Sequence, residues 1–148
     1  MKRLLLALMI LAAGSAWAEW VRMGEDSGQV THYFDPKTIG KEGDLRTVRW
    51  LEEFRTKDAT GVLSTRSTYE FDCQQERRRT LAFSSHPERW ANGKTISSGH
   101  RPSNWEAVPV DSFADAFRKL VCSRYLSSSE GLGIAAAGMI ADTMTPSP

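Results

Sequence analysis

Two cysteines, three histidines, and no apolar run long enough to cross a bilayer set the first limits on this 148-residue chain. His32, His86 and His100 stand singly, and neither HExxH nor CxxC occurs. The sequence therefore carries no metal-ligand spacing, and neither a metal nor a cofactor is expected. No GxSxG elbow is present. Glu52 and Glu53 are neighbours within an extended run, so their side chains point to opposite faces and cannot act as a carboxylate pair on one substrate. No catalytic residue is assigned, and a non-enzymatic protein is expected. A charge excess is missing as well: 19 Lys and Arg stand against 18 Asp and Glu, a formal net charge of +1. That balance does not call for nucleic acid or an anionic membrane. The apolar stretch Leu4 to Ala13 falls short of the ~20 residues a span needs, and Leu132 to Met144 is short and carries Asp142. Gly131, Gly133 and Ala136 satisfy a loose dinucleotide-binding pattern, but a serine run precedes them where a strand is required, and too little chain follows for a βαβ unit.

What is present begins with an export signal. Lys2 and Arg3 precede the apolar stretch, and Ala16-Trp17-Ala18 supplies a small-x-small cleavage site. Residues 1–18 are expected to be a signal peptide, and Glu19 the mature start. Removal of Lys2 and Arg3 leaves 17 basic against 18 acidic side chains. No cysteine follows the cleavage point, so a lipid anchor is not expected, and periplasm and cell surface both stay open as destinations. Cys73 and Cys122 both fall in the exported part. An even count in an oxidising compartment reads as a disulfide, against the rival reading of two free thiols.

Most of the remaining chain reads as short strands separated by turns. Glu19 to Met23 alternates weakly, Gly24 to Gly28 reads as a turn, and Val30 to Phe34 follows at hairpin distance. Asp35-Pro36 suggests the cap and first position of a short helical turn closing at Gly40. Leu45 to Thr56 places Val48, Trp50 and Phe54 on one face, and Val62 to Cys73 places Leu63, Thr65, Ser67, Tyr69, Phe71 and Cys73 on one. This period of two marks a sheet with one buried side. Gln74 to Glu76 makes a hairpin connection. Arg77 to Ser84 adds Arg79, Leu81 and Phe83 on one face, and a last strand is expected between Lys94 and His100. One helix follows Val110, with Phe113, Ala116, Phe117, Leu120 and Val121 at helical spacing. Ser112 with Asp115 resembles a capping box. Cys122 near the helix end is placed to reach the strand carrying Cys73. The fold class is α+β: an antiparallel sheet of about five to six strands packed against a C-terminal helix. The domain is expected over 19–126, with a Ser/Gly/Ala/Pro tail over 127–148.

Candidate binding residues gather in the second half. Arg77 and Arg79 are followed by Arg89, Trp90, Lys94, Arg101 and Trp105, a basic and aromatic set of the kind favoured in protein interfaces. Arg78 reads instead as a solvated strand edge, where charge discourages sheet pairing. The residues Ser85 to Asn104 form a loop rich in Gly, Asn, Ser and Pro, and exposed loops commonly carry recognition.

The order EWVRMG, YFDPKTI, LRTVRWLEEF, then STYEFDCQQERRRTLAFSS, Trp105-Glu106 and a helix ending Leu120-Val121-Cys122 resembles the surface-adhesin protein E family over Glu19 to Cys122. The resemblance implies an exported antiparallel sheet against a helix and a disulfide between Cys73 and Cys122. It also implies a protein partner among host extracellular-matrix or serum proteins, and a capacity to form homodimers. The missing lipid-attachment cysteine departs from the adhesin pattern. The alternative is a periplasmic structural or envelope-maintenance protein without a host ligand.

Overall fold

A computed structural model of the protein describes residues 19–123. The expected signal peptide, the expected tail over 127–148 and the glycine-rich motif at Gly131 lie outside the described residues. Six strands run as an antiparallel meander: β1 (Val21–Asp26), β2 (Val30–Glu42), β3 (Leu45–Phe54), β4 (Ser64–Asp72), β5 (Arg77–His86) and β6 (Ser97–Gly99). The two-residue β7 (Glu106–Ala107) pairs with the start of β5 on the same side as β6. One helix, α1 (Phe113–Cys122), follows.

The β1–β2 turn is tighter than the glycine spacing suggests. β1 continues through Gly24 and Glu25, and the reversal is made at Ser27 and Gly28, both with positive φ (48° and 66°), closed by Gln29 N–H on the Asp26 carbonyl at 2.9 Å. Two positive-φ residues match the twist of the flanking strands. The helical turn expected at Asp35-Pro36 does not form. Residues 36–39 bulge out of β2, facing Val48 alone between the pairs Asp35–Arg49 and Gly40–Thr47. Local polar bonds fold the bulge: Asp35 Oδ1 accepts from Lys37 N (3.0 Å), and the Thr38 hydroxyl donates to the Asp35 carbonyl (2.7 Å). Asp and Pro initiate turns inside strands as readily as they begin helices, so the local signal was shared by both structures.

A second irregularity corrects the alternation on β5. Thr68 pairs with Ala82, but Tyr69 pairs with Thr80, leaving Leu81 as an extra residue. Arg79 and Phe83 therefore lie on opposite faces, the first opposite Glu70 and the second opposite Ser67.

The helix covers one face. Ser112 caps it by accepting from Asp115 N at 3.2 Å, and the Asp115 carboxylate takes the N–H of Asp111 (3.3 Å) rather than that of the cap residue. Its apolar side, Ala114, Phe117 and Val121, packs with Met23, Phe34, Val48, Trp50 and Phe71 into the core. Phe117 is central, with ring centroids 5.0 Å from Phe34, 5.4 Å from Trp50 and 5.6 Å from Phe71. Such tilted and edge-on contacts add roughly 0.5–1.5 kcal/mol each beyond burial.

The far end of α1 is tied twice. Arg46 Nε donates to the Val121 carbonyl at 3.2 Å, placing a cation where helix carbonyls lack partners. Cys122 is bonded to Cys73, just past β4. The residues bridged are 49 apart in sequence, a loop worth roughly 4 kcal/mol on the chain-entropy estimate. Reduction, or the double change Cys73→Ser and Cys122→Ser, is expected to lower the unfolding free energy by about 2–4 kcal/mol in urea titrations. A loss under about 0.5 kcal/mol would show that packing alone seats the helix.

Candidate protein-recognition surface

The seven sequence-predicted binding residues separate into two clusters and two isolated cations. Arg77, Arg79 and Trp105 come together at the start of β5. The guanidinium carbons of Arg77 and Arg79 lie 4.6 and 4.5 Å from the centre of the Trp105 ring. Each arginine is also paired across the ladder: Arg77 with Asp72 at 3.0 Å and Arg79 with Glu70 at 2.6 Å. Burial works to raise the Asp72 carboxyl, but donation from Gln75 N, the Arg77 guanidinium and Gln74 N outweighs it, and its pKa lies below the ordinary aspartate value. β5 is no solvated edge, since β4 flanks it on one side and β6 and β7 on the other. Arg78 accordingly points to the helix-covered face, opposite Phe71, with its guanidinium 4.8 Å from the centre of the Tyr69 ring.

Arg89 and Trp90 form the second cluster at the other end of β5. From Arg77 to His86 the strand advances about 30 Å, so the two clusters suit the ends of an extended footprint and not one small pocket. The loop holding Trp90 is pinned from below by two buried side chains. Glu53 accepts the Arg89 guanidinium at 2.9 Å and also the Trp90 backbone N–H. The Ser64 hydroxyl donates to the Glu88 carbonyl and accepts from Ala91 N at 3.1 Å. Trp90 and Ala91 both take left-handed backbone (φ 62° and 55°), a strained choice for residues with a Cβ. The pinning leaves Trp90 46% exposed, with its ring 5.0 Å from that of Tyr33.

Lys94 and Arg101 are exposed and make no ion pair among the described residues. Sequence reading missed Tyr33 and Glu53. The alternation of β3 placed Glu53 on the face opposite Trp50, but which loop would descend on it depends on a contact 37 residues away.

A further polar cluster sits on the helix side. His32 Nδ1 accepts from the buried Trp50 indole N–H at 3.3 Å and lies 3.6 Å from Glu52 Oε1. The Phe113 ring packs 4.8 Å from the imidazole. Burial pushes the His32 pKa below its usual value; Arg78 lowers it further and Asp26 opposes. Burial likewise pushes Glu52 up, with Arg78 opposing. The neutral imidazole thus has a structural duty, as acceptor for a tryptophan that has no other among the described residues.

Two layers, a stapled helix over a meander sheet with arginines and aromatics on the uncovered side, define a small α+β domain. The chain belongs to the surface-adhesin protein E family, whose model matches residues 20–123. Two solved structures have the same fold. One is protein E from non-typeable Haemophilus influenzae, with a TM-score of 0.60 and 11% identity over 84% of this chain and 88% of that one. The other is a selenomethionine form of Haemophilus influenzae protein E, with a TM-score of 0.56 and 12% identity over 72% and 87%. No curated protein matches the sequence. Among the described residues, no helix is long and apolar enough to cross a membrane.

The His32 arrangement has a defined pH signature. Because the folded-state pKa lies below the unfolded one, the His32 contribution to stability is complete above about pH 6.5 and is lost as pH falls through the lowered folded value. His32→Gln keeps an acceptor for Trp50 without a titrating ring. Wild type is expected to lose stability relative to this variant as pH falls below about 6.5, by about 1.4 kcal/mol for each unit of difference between the two pKa values. Parallel stability curves would remove the role given to the neutral ring. Glu52 lies 3.6 Å from the ring and is shifted upward by burial, so the pair is compared in a Glu52→Gln background, where only the imidazole of this cluster titrates.

Proposed function

We propose that this protein is a non-enzymatic, exported binding domain that contacts a protein partner through the Arg77 to Arg101 region and Trp105. The observation that carries the reading is the Trp90 loop. A buried carboxylate and a buried hydroxyl hold a large aromatic outward in strained backbone, where burial of that ring inside the domain would be the ordinary outcome. Rigid, half-exposed tryptophan flanked by arginine is the side-chain chemistry of interface anchors. Membership of the adhesin family supports the same direction. The family resemblance supports a host matrix or serum protein as the partner class.

A second reading is favoured by the cysteines. Both are joined to each other, the form expected in an oxidising compartment. That suits a periplasmic protein with an envelope role and no host ligand.

Protease shaving of intact cells separates the two. Release of fragments is expected from a surface-displayed adhesin; a chain that stays whole until the outer membrane is permeabilised points to the periplasmic reading. The binding residues are tested with Lys94→Glu and Arg101→Glu together, which break no ion pair among the described residues, and with Trp90→Ala. Both variants are expected to keep the wild-type fold by circular dichroism and to weaken binding to immobilised matrix proteins by about tenfold or more. Unchanged binding would remove these residues from the site. Arg89→Glu is avoided, because it sets two carboxylates together over buried Glu53 and destabilises the loop.

A further inference from the structure

We propose that the sheet face opposite α1 docks an extended, acidic segment of polypeptide, a partner chemistry that rests on the protein-binding reading above. Strand register puts Arg49 of β3, Arg66 of β4, and Arg77 and Arg79 of β5 on this one face, and Arg89 folds onto it through Glu53. Four of these arginines have carboxylate partners, but the two signs occupy different depths. The carboxylate side chains of Asp35, Glu53, Glu70 and Asp72 are only 3–10% exposed, whereas those of Arg49, Arg77, Arg79 and Arg89 are 29–54% exposed. The ion pairs nearly cancel in a charge count, yet the layer that meets solvent is positive.

Arg66 has no carboxylate of its own among the described residues and stands exposed at the middle of the face, opposite Leu51 on one side and Ser84 on the other. Leu51 is fully buried although no helix covers it, flanked in register by Tyr33 and Arg66. Arginine stems and aromatic rings thus serve as the lid of this side, with their polar ends outward.

The geometry favours a polypeptide with alternating acidic residues. Arg77 and Arg79 sit two residues apart on one strand, about 7 Å, which is the side-chain repeat on one face of an extended chain. Arg77 commits only Nε to Asp72, leaving its terminal nitrogens without a hydrogen bond among the described residues. Buried carboxylates and the Trp105 ring hold these guanidinium groups in place before binding, so little side-chain freedom is lost when a carboxylate arrives. Tyr33 with Trp90 at one end and Trp105 at the other frame the row with apolar contacts.

The probe is a fluorescently labelled peptide of alternating glutamate and threonine, with a glutamine–threonine peptide of equal length as its uncharged control. Anisotropy titration of the purified protein is expected to show binding of the glutamate peptide only, weakening as salt rises. Arg66→Glu breaks no ion pair, and it is expected to reduce affinity by about tenfold or more. Lys119→Gln on the helix side should leave affinity unchanged. Equal binding by wild type and Arg66→Glu, equal binding of both peptides, or capture of heparin or anionic vesicles in preference to the glutamate peptide would each overturn the assignment. If the peptide fails while Lys94→Glu with Arg101→Glu still abolishes matrix-protein binding, the recognition function stands and this face is not its acidic-segment site.

Discussion

A ten-residue helix seated on one face of the sheet is the constraint on which the rest of the molecule depends. A helix of that length is marginal alone in water. Here its middle is held by Phe117 among Phe34, Trp50 and Phe71, its start by the Ser112 cap and the Phe113–His32 contact, and its end by Arg46 and the Cys73 bridge. Between them these contacts reach β2, β3, β4 and the turn after β4, so the helix holds those strands as much as they hold the helix.

Covering one face decides what the other must do. A sheet with a single helix has no second layer to bury its far side, yet Leu51 there is buried. The solution is a lid made of long side chains and one pinned loop. Arginines laid over buried carboxylates supply apolar stems to the sheet and guanidinium groups to solvent, while Glu53 and Ser64 bring the Trp90 loop down. A surface arranged in this way for stability is also a surface of preplaced cations and aromatics. Structure and recognition draw on the same residues, and Glu53 shows it plainly: one buried carboxylate neutralises Arg89 and sets the exposure of Trp90.

The sequence was legible where periodicity is regular. Val48 and Trp50 on β3, and Tyr69 and Phe71 on β4, fell on the helix-covered face as alternation requires, and the spacing of Phe113, Phe117, Leu120 and Val121 placed the helix. It was less legible wherever one residue was added to the ladder. Leu81 reverses the facing of everything before it on β5, and alternation read across such a bulge assigns Arg79 to the wrong side. Asp35-Pro36 failed for another reason: its turn chemistry was correctly sensed, but the flanking pairs Asp35–Arg49 and Gly40–Thr47 kept the segment within a strand. Of the candidate site, Arg77, Arg79 and Trp105 do meet, whereas Arg89 and Trp90 lie at the other end of β5; nothing local marked Tyr33, and alternation gave the face of Glu53 but not the loop it holds.

By itself the sequence determined the two-layer class, the single helix with its cap, and the family, because strand and helix periods and local caps depend on neighbours a few residues apart. The seating of Cys122 against Cys73 was already implied by their positions in that pattern. Only the tertiary structure decided which arginines face solvent, which carboxylates lie beneath them, and which aromatic is held outward. Those outcomes depend on ladder register and on contacts such as Glu53 with Trp90, where a shift of one residue exchanges inside for outside and no short-range pattern records the choice.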